Sequence, residues 1–215
     1  MCEAGLVTSE APGLRERKRQ ATQKALREAA LRLALERGPG NVRVDDIAEA
    51  AGVSPRTYNN YFSSREQAIV AAVTAEREAR VAQAVAARTP DVRLADAVVE
   101  AIVQEYTAPG DHDRAVFLLI ATGPALRDAF LGSASGLEHS LTVVLAERLG
   151  HADQHTARVL AASVAAAVRI ALERWLQFAA ASAAPGGLVV PTGSLPDLLR
   201  AALAPLTPAL NAAEG

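Results

Sequence analysis

Between Ser54 and Phe62 the chain sets Arg56, Thr57, Tyr58, Asn59 and Asn60 in consecutive positions. Their shared competence is hydrogen bonding to nucleic acid. An Arg guanidinium pairs with guanine, an Asn carboxamide pairs with adenine, and Thr and Tyr reach phosphates or thymine methyls. Asn is a poor helix former, so two in succession within a short helix are poorly explained as an ordinary solvated face. Other chemistry is thinly represented. His151 and His155 have a metal-ligand spacing, but they straddle Gly150 and need not share a face, and His112 and His139 stand apart. There is no Gly-rich phosphate loop, no convincing nucleophile arrangement and no paired-carboxylate site. Neither a cofactor nor an enzymatic activity is expected.

The elements that position the polar stretch are legible around it. A helix over 44–51 turns Ile47, Ala48 and Ala51 inward, and small Ala48 lets a second helix cross closely. Gly52 supplies the positive φ of a tight turn, and Val53 plugs the corner. Ser54 caps the next helix, and Pro55 fits its first turn because it has no N–H to lose. Ile47, Val53, Tyr61 and Phe62 are expected to close a small core against a first helix over 15–37, whose Leu26, Ala29, Ala30 and Leu33 recur at helical spacing. Gly38-Pro39-Gly40 stops that helix. A fourth helix runs from 63/64 to about 88.

Composition agrees with an all-α fold. Half of the 215 residues are apolar, mostly Ala, Leu and Val, and eight are aromatic. Further helices are expected near 91–107, 113–121, 124–149, 154–183 and 195–204, with Gly132–Gly136 kinking or splitting the 124–149 helix. Residues 1–13 read as a disordered arm, 14–65 as a helix-turn-helix domain, and 66–215 as a second helical domain. The net charge of −2 conceals a segregation: residues 14–65 carry +5 and the remainder −7. A basic end on an acidic body fits a nucleic-acid partner. One cysteine, Cys2, gives no disulfide framework. The most apolar run, 159–184, is broken by Arg169, Glu173 and Arg174. A cytoplasmic protein with no membrane partner is expected.

Residues 15–70 resemble the DNA-binding domain of the TetR family of bacterial regulators. The resemblance is carried by Ala29-Ala30-Leu31-Arg32-Leu33, Val44-Asp45-Asp46-Ile47-Ala48-Glu49-Ala50-Ala51-Gly52-Val53-Ser54, Thr57 and Tyr61-Phe62-Ser63-Ser64-Arg65-Glu66. It implies a homodimer that binds a double-stranded DNA operator, usually represses, and releases DNA when a ligand enters a pocket in the C-terminal domain. It also places Thr57, Asn59 and Asn60 at base and phosphate contacts, and Arg65 where a Lys commonly grips phosphate. Arg43 stands where the family often has a capping Thr, which leaves it to bind phosphate or simply to be solvated. The expected DNA-contacting set is thus Arg43, Ser54, Arg56, Thr57, Tyr58, Asn59, Asn60, Tyr61 and Arg65. The basic cluster Arg15, Arg17, Lys18 and Arg19 either reaches the DNA backbone or minor groove or is a solvated arm.

For the C-terminal body, Ser163, Ala166, Ala167 and Ala171 are expected at a dimer interface, because small residues let helix axes approach. The 195–204 helix would share that role. Phe117, Leu118, Thr122, Leu126, Phe130, Leu137, Trp175 and Phe178 lie on the helices expected to surround a cavity for a small apolar effector. An activator, or a regulator without an effector, fits the same DNA-binding unit. A helical carrier or enzyme whose N-terminal unit mediates protein contacts is the reading from another class.

Overall fold

The computed structural model describes residues 13–89, 91–108, 113–150, 154–182 and 194–214. The expected 1–13 arm, apart from Gly13, lies outside them. Among the described residues the fold is all-α, with no strand. The helices are α1 (Leu14–Arg37), α2 (Val44–Ala50), α3 (Pro55–Asn59), α4 (Arg65–Ala86), α5 (Leu94–Thr107), α6 (Asp113–Thr122), α7 (Pro124–Gly132), α8 (Ala134–Arg148), α9 (Gln154–Ser182), α10 (Leu195–Leu203) and α11 (Thr207–Ala213). The chain divides into two compact units, 1–68 and 69–215, and the division falls within α4.

In the first unit, α1 buries Leu26, Ala29, Ala30, Leu33 and Ala34. This is the i, i+3, i+4 stripe of an amphipathic helix. Val42, Ile47, Ala48, Tyr58, Phe62 and Ala68 are buried as well, and α2 packs on both α1 and α3.

In the second unit α9 is the central element, packed against α8 and α10, with α6 and α7 also against it. α5 packs on α10 and α11. The expected 124–149 helix is two helices, α7 and α8. They part at Ser133, whose hydroxyl donates to the Phe130 carbonyl at 2.7 Å. Gly136 in α8 leaves the space that the Glu78 carboxylate occupies: a Cβ there would collide with Glu78 Oε2.

The final helix, α11, has no counterpart in the sequence reading, which stopped at 204. Pro205 and Pro208 each sit in the first turn of an element. There a missing N–H costs nothing.

The start of α5 also departs from expectation. It begins at Leu94, and its exposed backbone donors are met from far along the chain. Leu94 N–H donates to Glu214 Oε2 at 2.6 Å, and Ala95 N–H donates to Asn211 Oδ1 at 3.4 Å. The other Glu214 oxygen accepts from Arg148 Nε at 2.9 Å, and Arg148 also donates to the Val92 carbonyl. One carboxylate thereby ties α11, the start of α5 and the end of α8 together.

Candidate nucleic-acid interface and cavity

The α2–α3 corner is built by local hydrogen bonds. Ala51 ends α2, Gly52 takes φ +69°, Gly52 N–H donates to Glu49 O at 3.0 Å and Val53 N–H to Ala48 O at 2.9 Å. This paired pattern is a Schellman motif, which satisfies the last carbonyls of a helix and reverses the chain. Ser54 then starts α3: its hydroxyl accepts from Thr57 N–H at 3.1 Å and lies 2.9 Å from the Thr57 hydroxyl. Two hydroxyls sharing one hydrogen bond leave one O–H proton to donate outward, whichever of them donates within the pair.

Around α3 the side chains divide cleanly. Arg56, Asn59 and Asn60 are exposed, and Ser54 lies with them at the start of the helix. Thr57 and Tyr61 are half-buried. Tyr58 is not on this face, which corrects its placement among the DNA-contacting residues. It is fully buried, its ring centroid lies 5.8 Å from that of Phe62, and its hydroxyl donates to the Ser64 carbonyl at 2.7 Å. Tyr58 and Phe62 are i and i+4 neighbours and share the inner face, while Tyr61, expected in the core, falls beyond the helix and stays partly open.

Arg65, expected at a phosphate, also makes bonds within the unit. Its guanidinium turns inward, donating to the Val42 carbonyl at 2.8 Å, the Gly40 carbonyl at 3.3 Å and Glu66 Oε1 at 2.7 Å. It clasps the segment before α2 to the first turn of α4. Burial alone would raise the Glu66 carboxyl pKa, but Arg65, the backbone N–H of Glu66 itself and Ser64 together hold it below the usual carboxylate value.

Arg43 exposes its side chain. The start of α2 is instead served by Asp46, whose carboxylate accepts the Arg43 backbone N–H at 2.9 Å. Arg15, Arg17, Lys18 and Arg19 are exposed on the first turns of α1, so they are helical rather than part of an arm.

The second unit holds a cavity of about 480 Å³, within the size range of small-molecule sites. Its walls are Val73 and Arg77 of α4, Tyr106 and Thr107 of α5, Ala108, Val116 and Ile120 of α6, Phe130 of α7, Leu172 and Trp175 of α9, and Ser194, Leu195 and Pro196. Of the expected effector contacts, Phe130 and Trp175 line it. Leu126 and Leu137 are buried but do not line it, and Thr122 is exposed. The side chains of Phe117, Leu118 and Phe178 lie outside the described residues. The sequence reading missed the polar part of the wall, Arg77 and Tyr106. No motif marks them, because helix packing alone brings them together.

On α9, Ala167 and Ala171 are already buried within the protomer, which corrects their assignment to an intersubunit face. Val159, Ser163, Ala166 and Ile170 form an outward stripe at i, i+4, i+7 and i+11. Val159 is 50% exposed and Ile170 55%. The 195–204 segment likewise turns inward, burying Leu195, Leu198, Leu199 and Leu203.

His139 and His155 are exposed, and His112 and His151 lie outside the described residues. Among the described residues, no three His, Cys, Asp or Glu side chains converge as a metal site, and no helix is long and apolar enough to cross a membrane.

Residues 26–72, which contain the whole α2–α3 corner, match the model of the bacterial regulatory proteins of the tetR family. These residues form a tetR-family domain. Two relatives point the same way. The HTH-type transcriptional regulator TcmR of Streptomyces glaucescens is 29% identical over 184 residues, covering 78% of this chain and 79% of that protein. The HTH-type transcriptional regulator BetI of Rhizobium meliloti (strain 1021) is 35% identical over 91 residues, covering 40% of this chain and 45% of that protein. The domain and these likenesses support a DNA-binding transcriptional regulator, with the polar face of α3 as its candidate reading surface.

Proposed function

We propose that this regulator is a cytoplasmic repressor that binds an inverted-repeat operator as a homodimer and lets go when a small, largely apolar molecule fills the cavity of the second unit. The observation that carries the DNA half is the outward set Arg56, Asn59 and Asn60 on a helix fixed by the Ser54 cap. These residues can pair with base edges, while the Ser54–Thr57 hydroxyl pair and Arg43 supply phosphate contacts. The cavity favours an effector-controlled regulator over an effector-independent one.

Selection of bound duplexes from a random pool tests the reading directly. An enriched inverted repeat, with half-sites about one helical turn or a multiple apart, is the expected result. Enrichment of no sequence would defeat it. On the selected site, Arg56→Ala and Asn60→Ala should each weaken binding by about 1–2 kcal/mol while random DNA is little affected, as for a lost base contact. Equal losses on both DNAs would reassign that residue to the backbone.

For the dimer, the α9 stripe and Val143 on α8, which is 51% exposed, offer an apolar surface that a second copy would cover. Ile170→Asp should move the chain from dimer to monomer in sedimentation and flatten its preference for the full repeat over a half-site. Burying one unpaired carboxylate in such a seam costs several kcal/mol. A mutant that sediments as the parent does would remove this face from the interface.

A further inference from the structure

We infer that the effector of the second unit is an amphipathic anion, an apolar molecule ending in a carboxylate or a comparable acidic group, and that Arg77 is the residue that selects it. The inference rests on the proposed reading of the cavity as the effector site and narrows its chemistry. The walls are mostly aliphatic and aromatic, with Val73, Val116, Ile120, Phe130, Leu172 and Leu195 among them. Among the described residues of the lining, Arg77 is the one charged side chain and none is acidic.

The guanidinium carbon of Arg77 lies 5.2 Å from the centroid of the Tyr106 ring. A cation–π contact of this kind attracts the guanidinium to the ring without using its N–H donors. An Arg has five N–H donors and a carboxylate takes two of them, so the intramolecular contacts of Arg77 and an incoming anion can be made together.

Burial, the leading cause, and the charge of Glu78 keep the Tyr106 phenol protonated well above its ordinary pKa, against the opposing influence of Arg77. Tyr106 is thus a neutral group that can donate a hydrogen bond and adds no negative charge to the wall. Glu78, one residue along α4, is directed at Gly136 of α8 and is not part of the lining. A cation in a largely apolar enclosure stabilises a ligand anion more strongly than it would in water, while an ammonium-bearing ligand of the same length would meet it with repulsion.

The chain has a single tryptophan, Trp175, and it lines the cavity, so intrinsic fluorescence reports occupancy. Full-length protein is titrated with decanoate, 1-decanol and decylamine, which share a chain and differ in the head group. Decanoate should bind at least about tenfold more tightly than either of the others, a difference that one well-placed charge-assisted pair can supply. Arg77→Met should remove that advantage while leaving 1-decanol binding within about twofold of the parent, and Arg77→Lys should restore part of it. Circular dichroism and thermal melts of both variants check that the helices persist. If Arg77→Met is unfolded, the Lys variant and the three-ligand order in the parent still decide. Equal binding of decanoate and 1-decanol, or undiminished decanoate binding by Arg77→Met, overturns the assignment while leaving the cavity as an effector site. No fluorescence response to any of the three overturns the cavity reading and this inference with it.

Discussion

Tyr58→Ala is expected to destabilise the DNA-binding unit by about 3–5 kcal/mol, the usual cost of truncating a buried aromatic. Domain stabilities of roughly 0.05–0.15 kcal/mol per residue give a unit of this size a total of a few kcal/mol to roughly 10, so the substitution removes most of it. Urea unfolding followed by circular dichroism measures the loss, and operator binding should vanish with it. Tyr58→Phe separates ring from hydroxyl. It keeps the tilted ring contact with Phe62 and loses only the bond to the Ser64 carbonyl, about 1 kcal/mol. The pH profile gives an independent check. Burial first, and then the nearby charge of Glu66, push the Tyr58 phenol up to about 12 from 10.0. The folded state thus holds this proton more tightly than the unfolded one. The stability it contributes is fully present below pH 10 and is lost as pH climbs towards 12, and Tyr58→Phe should flatten that decline. A Tyr58→Ala protein that unfolds like the parent but binds DNA poorly would put the ring in the groove after all.

The second large effect is expected at Glu214. Its carboxylate accepts the Leu94 N–H and the Arg148 guanidinium, and the Arg148 side chain is 13% exposed. Glu214→Ala strips α5 of one of its two capping acceptors and leaves Arg148 without its carboxylate partner. An exposed pair would be worth under 1 kcal/mol and a fully buried one several. This partly buried, doubly bonded carboxylate lies between, at about 2–3 kcal/mol. Glu214→Gln should recover a part, because the amide oxygen can still accept one hydrogen bond. Hydrogen exchange at the start of α5 should rise in step with the loss. Unchanged exchange there would show that the clasp carries no stability.

The DNA-binding corner was legible because every interaction that builds it spans few residues. Gly52, Val53, Ser54 and Pro55 each act on a neighbour within five positions, so residue type and order determine the turn. The same locality did not settle the facing of α3. Five residues make little more than one turn, and small differences in where the helix starts and stops exchange which of Tyr58 and Tyr61 points inward. The inward bonds of Arg65 were not legible, because their acceptors are the carbonyls of Gly40 and Val42 and backbone groups carry no sequence signature. In the second unit the helices were readable from periodicity, but the cavity was not. Arg77, Tyr106 and Trp175 share a wall only after α4, α5 and α9 have packed. The α9 stripe shows the same limit. Ala166 and Ala167 are indistinguishable by residue type, yet one faces outward and the other inward.

The Glu214 clasp has a consequence for how the chain is made. Leu94 and Glu214 are 120 residues apart, and a ribosome adding roughly 5–20 residues per second delivers the cap about 6–24 seconds after the helix it serves. The first unit needs nothing beyond residue 68 for its internal contacts, so it can close while the rest is still being synthesised. During the same interval the first turn of α5 has only water for its donors, and its face of Leu94, Ala97, Val98, Ala101 and Ile102 has neither α10 nor α11 to cover it. The nascent protein therefore passes through a stage with a finished DNA-reading head and an open, sticky body, and chaperones would find their binding site there on α5.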